Sequence, residues 1–254
     1  MLPTTDGDAA EQVQAAKQAI RERVWSLLEN SGAAVPPGPW GRIPDFRGAA
    51  AAADRLADLV EWRNAHVVKA NPDRAQLPVR ARALKDGKIV YMAVPRLAGD
   101  HPFVMLDPER LPAPVEQAAD KDRGLELGEP VQVNHMDRVD LAVAGSVAVN
   151  RSGARVGKGG GFSDIELGLL ADAGIIGPHT TVAATVHQLQ VLDKPLPETE
   201  HDFRLGLIVT PDEVIRVADP RPSPGILWDA LDPGKVAAIP VLAARQPRLH
   251  ARGA

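Results

Sequence analysis

The run Arg155-Val-Gly-Lys-Gly-Gly-Gly-Phe-Ser-Asp164 gathers two cations, four glycines and a carboxylate into ten residues. Glycines 157, 159, 160 and 161 let the backbone approach an anion closely, and the free N–H groups of a helix start favour negative charge. A helical pattern begins near Ser163, the predicted N-cap, with Glu166 three residues on to complete a capping box. The run therefore reads as a phosphate cradle, the alternative being a plain tight turn. Its spacing excludes a Walker-type loop. It also lacks the third glycine of the dinucleotide fingerprint, and no acidic residue obviously ends a following strand. Asp164 at the loop mouth has two readings. It is either helix N-terminal charge, worth about a few tenths of a kcal/mol, or a hard oxygen ligand for Mg²⁺ beside nucleotide phosphates.

Other reactive residues form no recognisable constellation. The seven histidines (66, 101, 135, 179, 187, 201 and 250) lack zinc-site spacing. Ser146 and Ser152 lack the Gly-x-Ser-x-Gly elbow. The chain has no cysteine, which excludes disulfides, thiolate metal sites and a Cys nucleophile.

The elements that must position the glycine loop follow from periodicity. The apolar run 139–149 predicts a buried strand leading into the loop. A helix over Val13–Leu28 sets Ile20, Val24, Leu27 and Leu28 on one face, leaving Lys17 and Arg21 on what spacing alone reads as a solvated face. The proline-rich crossing 35–48 is a packed loop pinned by Trp40, Ile43 and Phe46. A helix over 49–62 and a short helix over 79–85 alternate with strands at 65–70, 88–94 and 103–106. Residues 107–135 form a polar surface segment and a candidate cover for a site. Further strands lie at 180–187, 205–210 and 213–217. Beyond Asp219 the chain is rich in Pro, Ala and Arg, with Trp228 as its one anchor. Tyr91, the only tyrosine, fills a strand face. Strands separated by helices predict parallel β-α-β winding.

The expected fold is thus α/β, a single-domain open, mostly parallel sheet flanked by helices. One domain spans 1–254, with 1–11 and 245–254 as flexible tails. A 254-residue chain that is 44% apolar can bury a substantial core. Its net charge of −4 gives no global basic field for nucleic acid. No signal-peptide pattern or membrane-length apolar run occurs, so a soluble, cytoplasmic protein without a membrane partner is expected.

The glycine run resembles the Arg-Leu-Gly-x-Gly-Gly-Gly-Tyr-Tyr-Asp motif of the 5-formyltetrahydrofolate cyclo-ligase family. Lys17 and Arg21 resemble that family's basic N-terminal helix, and Val139–Val143 its strand before the loop. Gln190, His201-Asp202 and Ile208-Val-Thr210 resemble its downstream pattern. Arg80, Pro95-Arg96 and the run Arg221–Trp228 look most like the branch of methenyltetrahydrofolate synthase domain-containing proteins. Phe162 and Ser163 stand where the family has two tyrosines, and Asn150 where it has an acid.

The resemblance implies a three-layer cyclo-ligase (NagB-like) fold. It also implies ATP- and Mg²⁺-dependent conversion of 5-formyltetrahydrofolate to 5,10-methenyltetrahydrofolate through a phosphorylated formyl intermediate. ATP would meet Lys17, Arg21, Arg155, Gly157, Lys158, Gly159, Gly160, Gly161, Phe162, Ser163 and Asp164. Arg155 and Asp164 would be catalytic, with Asp164 on the metal, and the partner would be a reduced folate or related small molecule. Two further readings remain open. One is a paralogous ATP-dependent enzyme acting on another heterocycle or formyl compound. The other is a non-catalytic member that binds a nucleotide, a folate or a partner protein.

Overall fold

The computed structural model describes residues 6–247. Helices α1 (Asp6–Asn30), α2 (Ala49–Ala57) and α3 (Val60–Asn64) precede strand β1 (Val67–Ala70). Helix α4 (Leu77–Lys85) leads to β2 (Ile89–Ala93) and β3 (Phe103–Leu106), then α5 (Val115–Ala118), α6 (Lys121–Leu127) and β4 (Glu129–Val131). Strands β5 (Leu141–Val143), β6 (Ala148–Asn150) and β7 (Arg155–Val156) bring the chain to α7 (Phe162–Asp172). Strands β8 (Thr181–Thr185), β9 (Val191–Leu192), β10 (Leu207–Val209) and β11 (Val214–Arg216) follow, then α8 (Pro233–Ala238) and α9 (Pro240–Ala243).

Strands β1, β5 and β10 are buried at every residue, as a sheet covered on both faces requires. The eight-stranded sheet runs β11-β10-β8-β5-β1-β2-β3-β4. Its centre, β10-β8-β5-β1-β2, is parallel, while β11, β3 and β4 join antiparallel. From β1 the chain works outward through β2, β3 and β4, then returns to place β5 on the other side of β1. The strand order therefore reverses between β1 and β5, and open α/β sheets take ligands beyond the carboxyl ends of the strands at such a point.

Side-chain alternation divides the core into two layers. On one face Val68, Val90, Leu141, Val143 and Val209 meet Leu56 of α2 and Val79 and Leu84 of α4. On the other, Tyr91, Ala142, Ala184 and Ile208 meet Leu167 and Leu170 of α7. A third cluster joins Val24, Trp25 and Leu28 of α1 to Ile43, Phe46 and a small sheet of order β7-β6-β9. Tyr91 sits on its strand face as the sequence suggests, its hydroxyl donating to Asp137 at 3.2 Å.

Several expectations need correction. The apolar run 139–149 is not one strand: β5 stops at Val143, and β6 belongs to the small sheet. At Gly145 between them, a Cβ would stand 2.9 Å from Asp73 Oδ2 and 3.2 Å from Gln76 Oε1, so the chain turns where only a glycine fits. The helix over 49–62 breaks into α2 and α3 because Leu59 is extended. Helix α1 starts at Asp6, so the expected N-terminal tail is helical from that residue. Residues 1–5 and 248–254 of the two expected tails lie outside the described residues. Ile43 and Phe46 pin the proline-rich crossing, but Trp40 stays 45% exposed, its ring centroid 5.6 Å from that of Trp25. Segment 107–135 is not a loose cover: Ala118, Ala119 and Val133 are buried, and only Lys121 of it reaches the cleft described below. The region after Asp219 carries two helices anchored by Val236, Ile239 and Leu242, as well as by Trp228.

Candidate functional site

A cleft of about 820 Å³ opens at the carboxyl ends of β1 and β2, a size suited to a small-molecule ligand. Asn71, Pro72 and Asp73 after β1 and Val94, Pro95 and Arg96 after β2 form its floor. Residues of α1 and the proline-rich crossing form one wall, and the glycine loop with the start of α7 forms another. Residues from Gly225 to Lys235 close the remaining side.

Gly159 (φ 104°) and Gly161 (φ 68°) adopt left-handed conformations that a Cβ would penalise. Gly161, not Ser163, is the N-cap of α7, with no side chain capping the helix. The predicted Ser163/Glu166 box does not form. The Ser163 hydroxyl accepts from Asn71 Nδ2 at 3.0 Å, and Glu166 is buried in an ion pair with Lys69. Lys69 also donates to Asn71 Oδ1 at 2.8 Å, so one polar chain runs from α7 through β1 back to the loop. Among the described residues, no protein acceptor takes the backbone N–H groups of 157–164. Those donors are free of protein partners, the arrangement in which a helix start can take an anion.

Lys17 and Arg21 do not lie on a solvated face; each is only 5% exposed. Lys17 Nζ pairs with Asp202 Oδ2 at 2.6 Å. Burial pushes the Asp202 carboxyl up, but the bond and charge of Lys17, with two bonds from Thr199, outweigh it and leave the pKa below the ordinary value. Arg21 Nε donates to Gly157 O at 2.7 Å, and desolvation lowers its pKa. Arg155 donates to Asp164 Oδ1 at 3.1 Å and to Gly145 O at 3.3 Å, with its guanidinium 4.6 Å from the Phe203 ring centroid. Its Nε is buried without an acceptor. Lys158 is half-exposed, 3.5 Å from Asp73.

Phe162 is half-buried against the core, and Gly157 and Gly160 sit where side chains would strike Arg155 and Phe162. The structure thus gathers every predicted site residue around one cleft.

The sequence reading missed Lys235, which donates to Gly160 O at 3.0 Å and lies 5.9 Å from the Phe162 ring centroid. No local pattern links it to the loop 75 residues earlier. It also missed Asp73 and the Lys69–Asn71 chain, although polar residues directly after an apolar strand were a usable signal. Arg80, fully buried, donates to the carbonyls of Asn71, Asp73 and Ala119 and so fixes the turn after β1. Desolvation lowers its pKa to about 10, so it stays charged at neutral pH. Gln190 donates to Ser146 O and Val147 O at 2.9 and 3.1 Å, holding the bend between β5 and β6.

No three His, Asp or Glu among the described residues form a cage for a metal ion. Mg²⁺ does not require one: it keeps several waters and binds through one or two carboxylates plus substrate phosphates. Asp164 (18% exposed) and Asp73 (16%) are the carboxylates flanking the loop that could hold such an ion. Among the described residues, no helix is long and apolar enough to cross a membrane.

Comparison with known proteins agrees with this geometry. The model of the 5-formyltetrahydrofolate cyclo-ligase family matches residues 13–211. The methenyltetrahydrofolate synthase domain-containing protein of Mus musculus is 36% identical over 230 residues, covering 89% of this chain and 62% of the mouse protein. The Homo sapiens protein of the same name is 33% identical over 246 residues, 95% of this chain and 64% of that one. The chain spans about three fifths of the length of these curated relatives. The NMR structure of Aquifex aeolicus 5,10-methenyltetrahydrofolate synthetase superposes with a TM-score of 0.52 at 19% identity, covering 85% of this chain and 99% of that one, and so shares the fold. The family match takes in most of α1, the glycine loop and Asp202, and on that footing the chain belongs to the 5-formyltetrahydrofolate cyclo-ligase family.

Proposed function

We propose that the chain converts 5-formyltetrahydrofolate to 5,10-methenyltetrahydrofolate at the expense of ATP. The observation that carries this is the glycine loop itself: free N–H donors ringed by cations, in a cleft beyond the carboxyl ends of β1 and β2 that also holds apolar side chains. In this reaction the γ-phosphoryl of ATP passes to the 5-formyl oxygen and ADP leaves. N10 then attacks the formyl carbon and loses its proton, and phosphate departs with that oxygen as the ring closes. Such chemistry needs alignment and charge neutralisation more than covalent help.

The residues divide that work. The loop N–H groups and Arg21 hold phosphates. Arg155, fixed by Asp164 and Gly145 O, sets positive charge beneath the loop. Asp164 would hold Mg²⁺, whose charge would offset that of the phosphates. Lys17 is already balanced by Asp202, so its part is to fasten α1 over the cleft. Ile43, Val94, Ile226 and Leu231 give a flat heterocycle an apolar surface.

The test follows the absorbance of the methenyl product with 5-formyltetrahydrofolate, ATP and Mg²⁺. Product that requires both ATP and the metal is expected. A second reading, a paralogous ATP-dependent enzyme on another heterocycle or formyl compound, is favoured by the loop's departures. Phe162 has no hydroxyl, and that of Ser163 is engaged by Asn71. Tight ATP binding without turnover of the folate would select that reading, whereas absence of ATP binding would sink both.

A further inference from the structure

The family match ends at residue 211, yet the segment after it supplies one side of the cleft. Val236, Ile239 and Leu242 are almost wholly buried, so α8 and α9 are fixed to the core. That anchoring brings Lys235 to the far end of the glycine loop, its Nζ 3.2 Å from where a Cβ of Gly161 would stand.

Four cations lie on the loop or bond to it, and they fall into two kinds. Arg155 and Lys158 are paired with Asp164 and Asp73. Arg21 and Lys235 donate to the loop carbonyls of Gly157 and Gly160 and, among the described residues, hold no carboxylate. The uncompensated positive charge of the loop thus comes from these two, one at each end. Arg21 stands at its entry. Lys235 stands at its exit, beside the first turn of α7 that carries Asp164.

We propose that Lys235 binds the terminal phosphoryl group of the nucleotide, with Arg21 holding the inner phosphates. This rests on the reading of the loop as an ATP site with its metal at Asp164, which sets the transferred group at the Lys235 end. Carbonyl bonding keeps the ammonium in place while the cleft is open. On binding, a phosphate oxygen replaces or shares the Gly160 carbonyl as acceptor, so the ammonium gains an ionised partner in place of a neutral one. The region beyond the family match thereby contributes a phosphate ligand that the glycine motif does not encode.

The experiment titrates Mg²⁺-ATP and Mg²⁺-ADP into wild type, Lys235→Met and Lys235→Arg, with a thermal melt of each. Lys235→Met is expected to weaken ATP about tenfold or more, the scale of one charge-assisted bond. ADP affinity should hold, and Lys235→Arg should recover most of the loss. A lysine that merely clips the loop predicts equal weakening of ATP and ADP, with a lowered melting temperature, and that result overturns the proposal. So does unchanged ATP binding by Lys235→Met. If wild type binds no ATP, the nucleotide reading falls and takes this one with it. If wild type binds and only the variant pattern fails, the nucleotide reading survives.

Discussion

Lys17 and Asp202 show how much of a site can hide in one ion pair. Lys17 precedes Ile20, Val24 and Leu28 by three, seven and eleven residues and so shares their face of α1, but nothing local reveals that residue 202 covers it. The family resemblance marked the position, and the structure supplies the cause: both side chains are at least nine-tenths buried. The folded-state pKa of Asp202 is depressed, so its contribution is fully present above the unfolded value of about 3.9 and is lost as pH falls through the lower, folded value. Asp202→Asn leaves Lys17 buried without a counter-charge and should lower the melting temperature at pH 7. The gap from wild type should narrow as pH drops below about 4 and close only below the lower, folded value, where the native carboxyl is neutral as well. Melts from pH 7 to 3 check this; a gap that stays constant would show that shape, not charge, holds α1 in place.

Among the elements, α7 was only half legible. The glycines before it are a local signal, and a helix does start there. Its cap was misread because Ser163 and Glu166 satisfy a spacing rule that tertiary partners override: β1 supplies Lys69, the turn after it supplies Asn71, and Ser163 and Glu166 bond to them instead. The bend after β5 was invisible for a related reason. Gly145 lies inside an apolar run, and what makes a glycine necessary there is the approach of Asp73, Ile43 and Gln76 from elsewhere in the chain. The C-terminal helices were missed because three short apolar anchors among prolines give too little periodicity to count. Asp164, in the first turn of α7, tests what that element is for. As helix N-terminal charge alone, it contributes about 0.3–1 kcal/mol. Asp164→Asn takes the carboxylate partner from buried Arg155 and should lower the melting temperature, but only as the metal carboxylate should its loss also abolish the dependence of ATP binding on Mg²⁺. Titrations with and without the metal measure the difference, and an unchanged metal dependence would remove Asp164 from that role.

At the scale of the molecule, composition and alternation made the α/β class readable, and the parallel centre follows from its continuous apolar strands. What no pattern announces is that the layers are locked by charge as well as by packing. Lys69 lies on the central strand β1, 1% exposed, and its partner Glu166 lies on α7 with 5% exposed. The pair therefore joins the sheet to the helix that opens the glycine loop, and through Asn71 it orients Ser163. Removing one partner, as in Lys69→Met, strands a buried carboxylate and should cost roughly 3–5 kcal/mol in urea unfolding. Replacing both, as in Lys69→Met with Glu166→Leu, fills the same space with apolar atoms and should restore most of that loss. Two losses that simply add would show that the residues stabilise separate regions. Recovery of stability without recovery of ATP binding is the expected result, because a repacked interior keeps the layers together but no longer holds Asn71 against the loop.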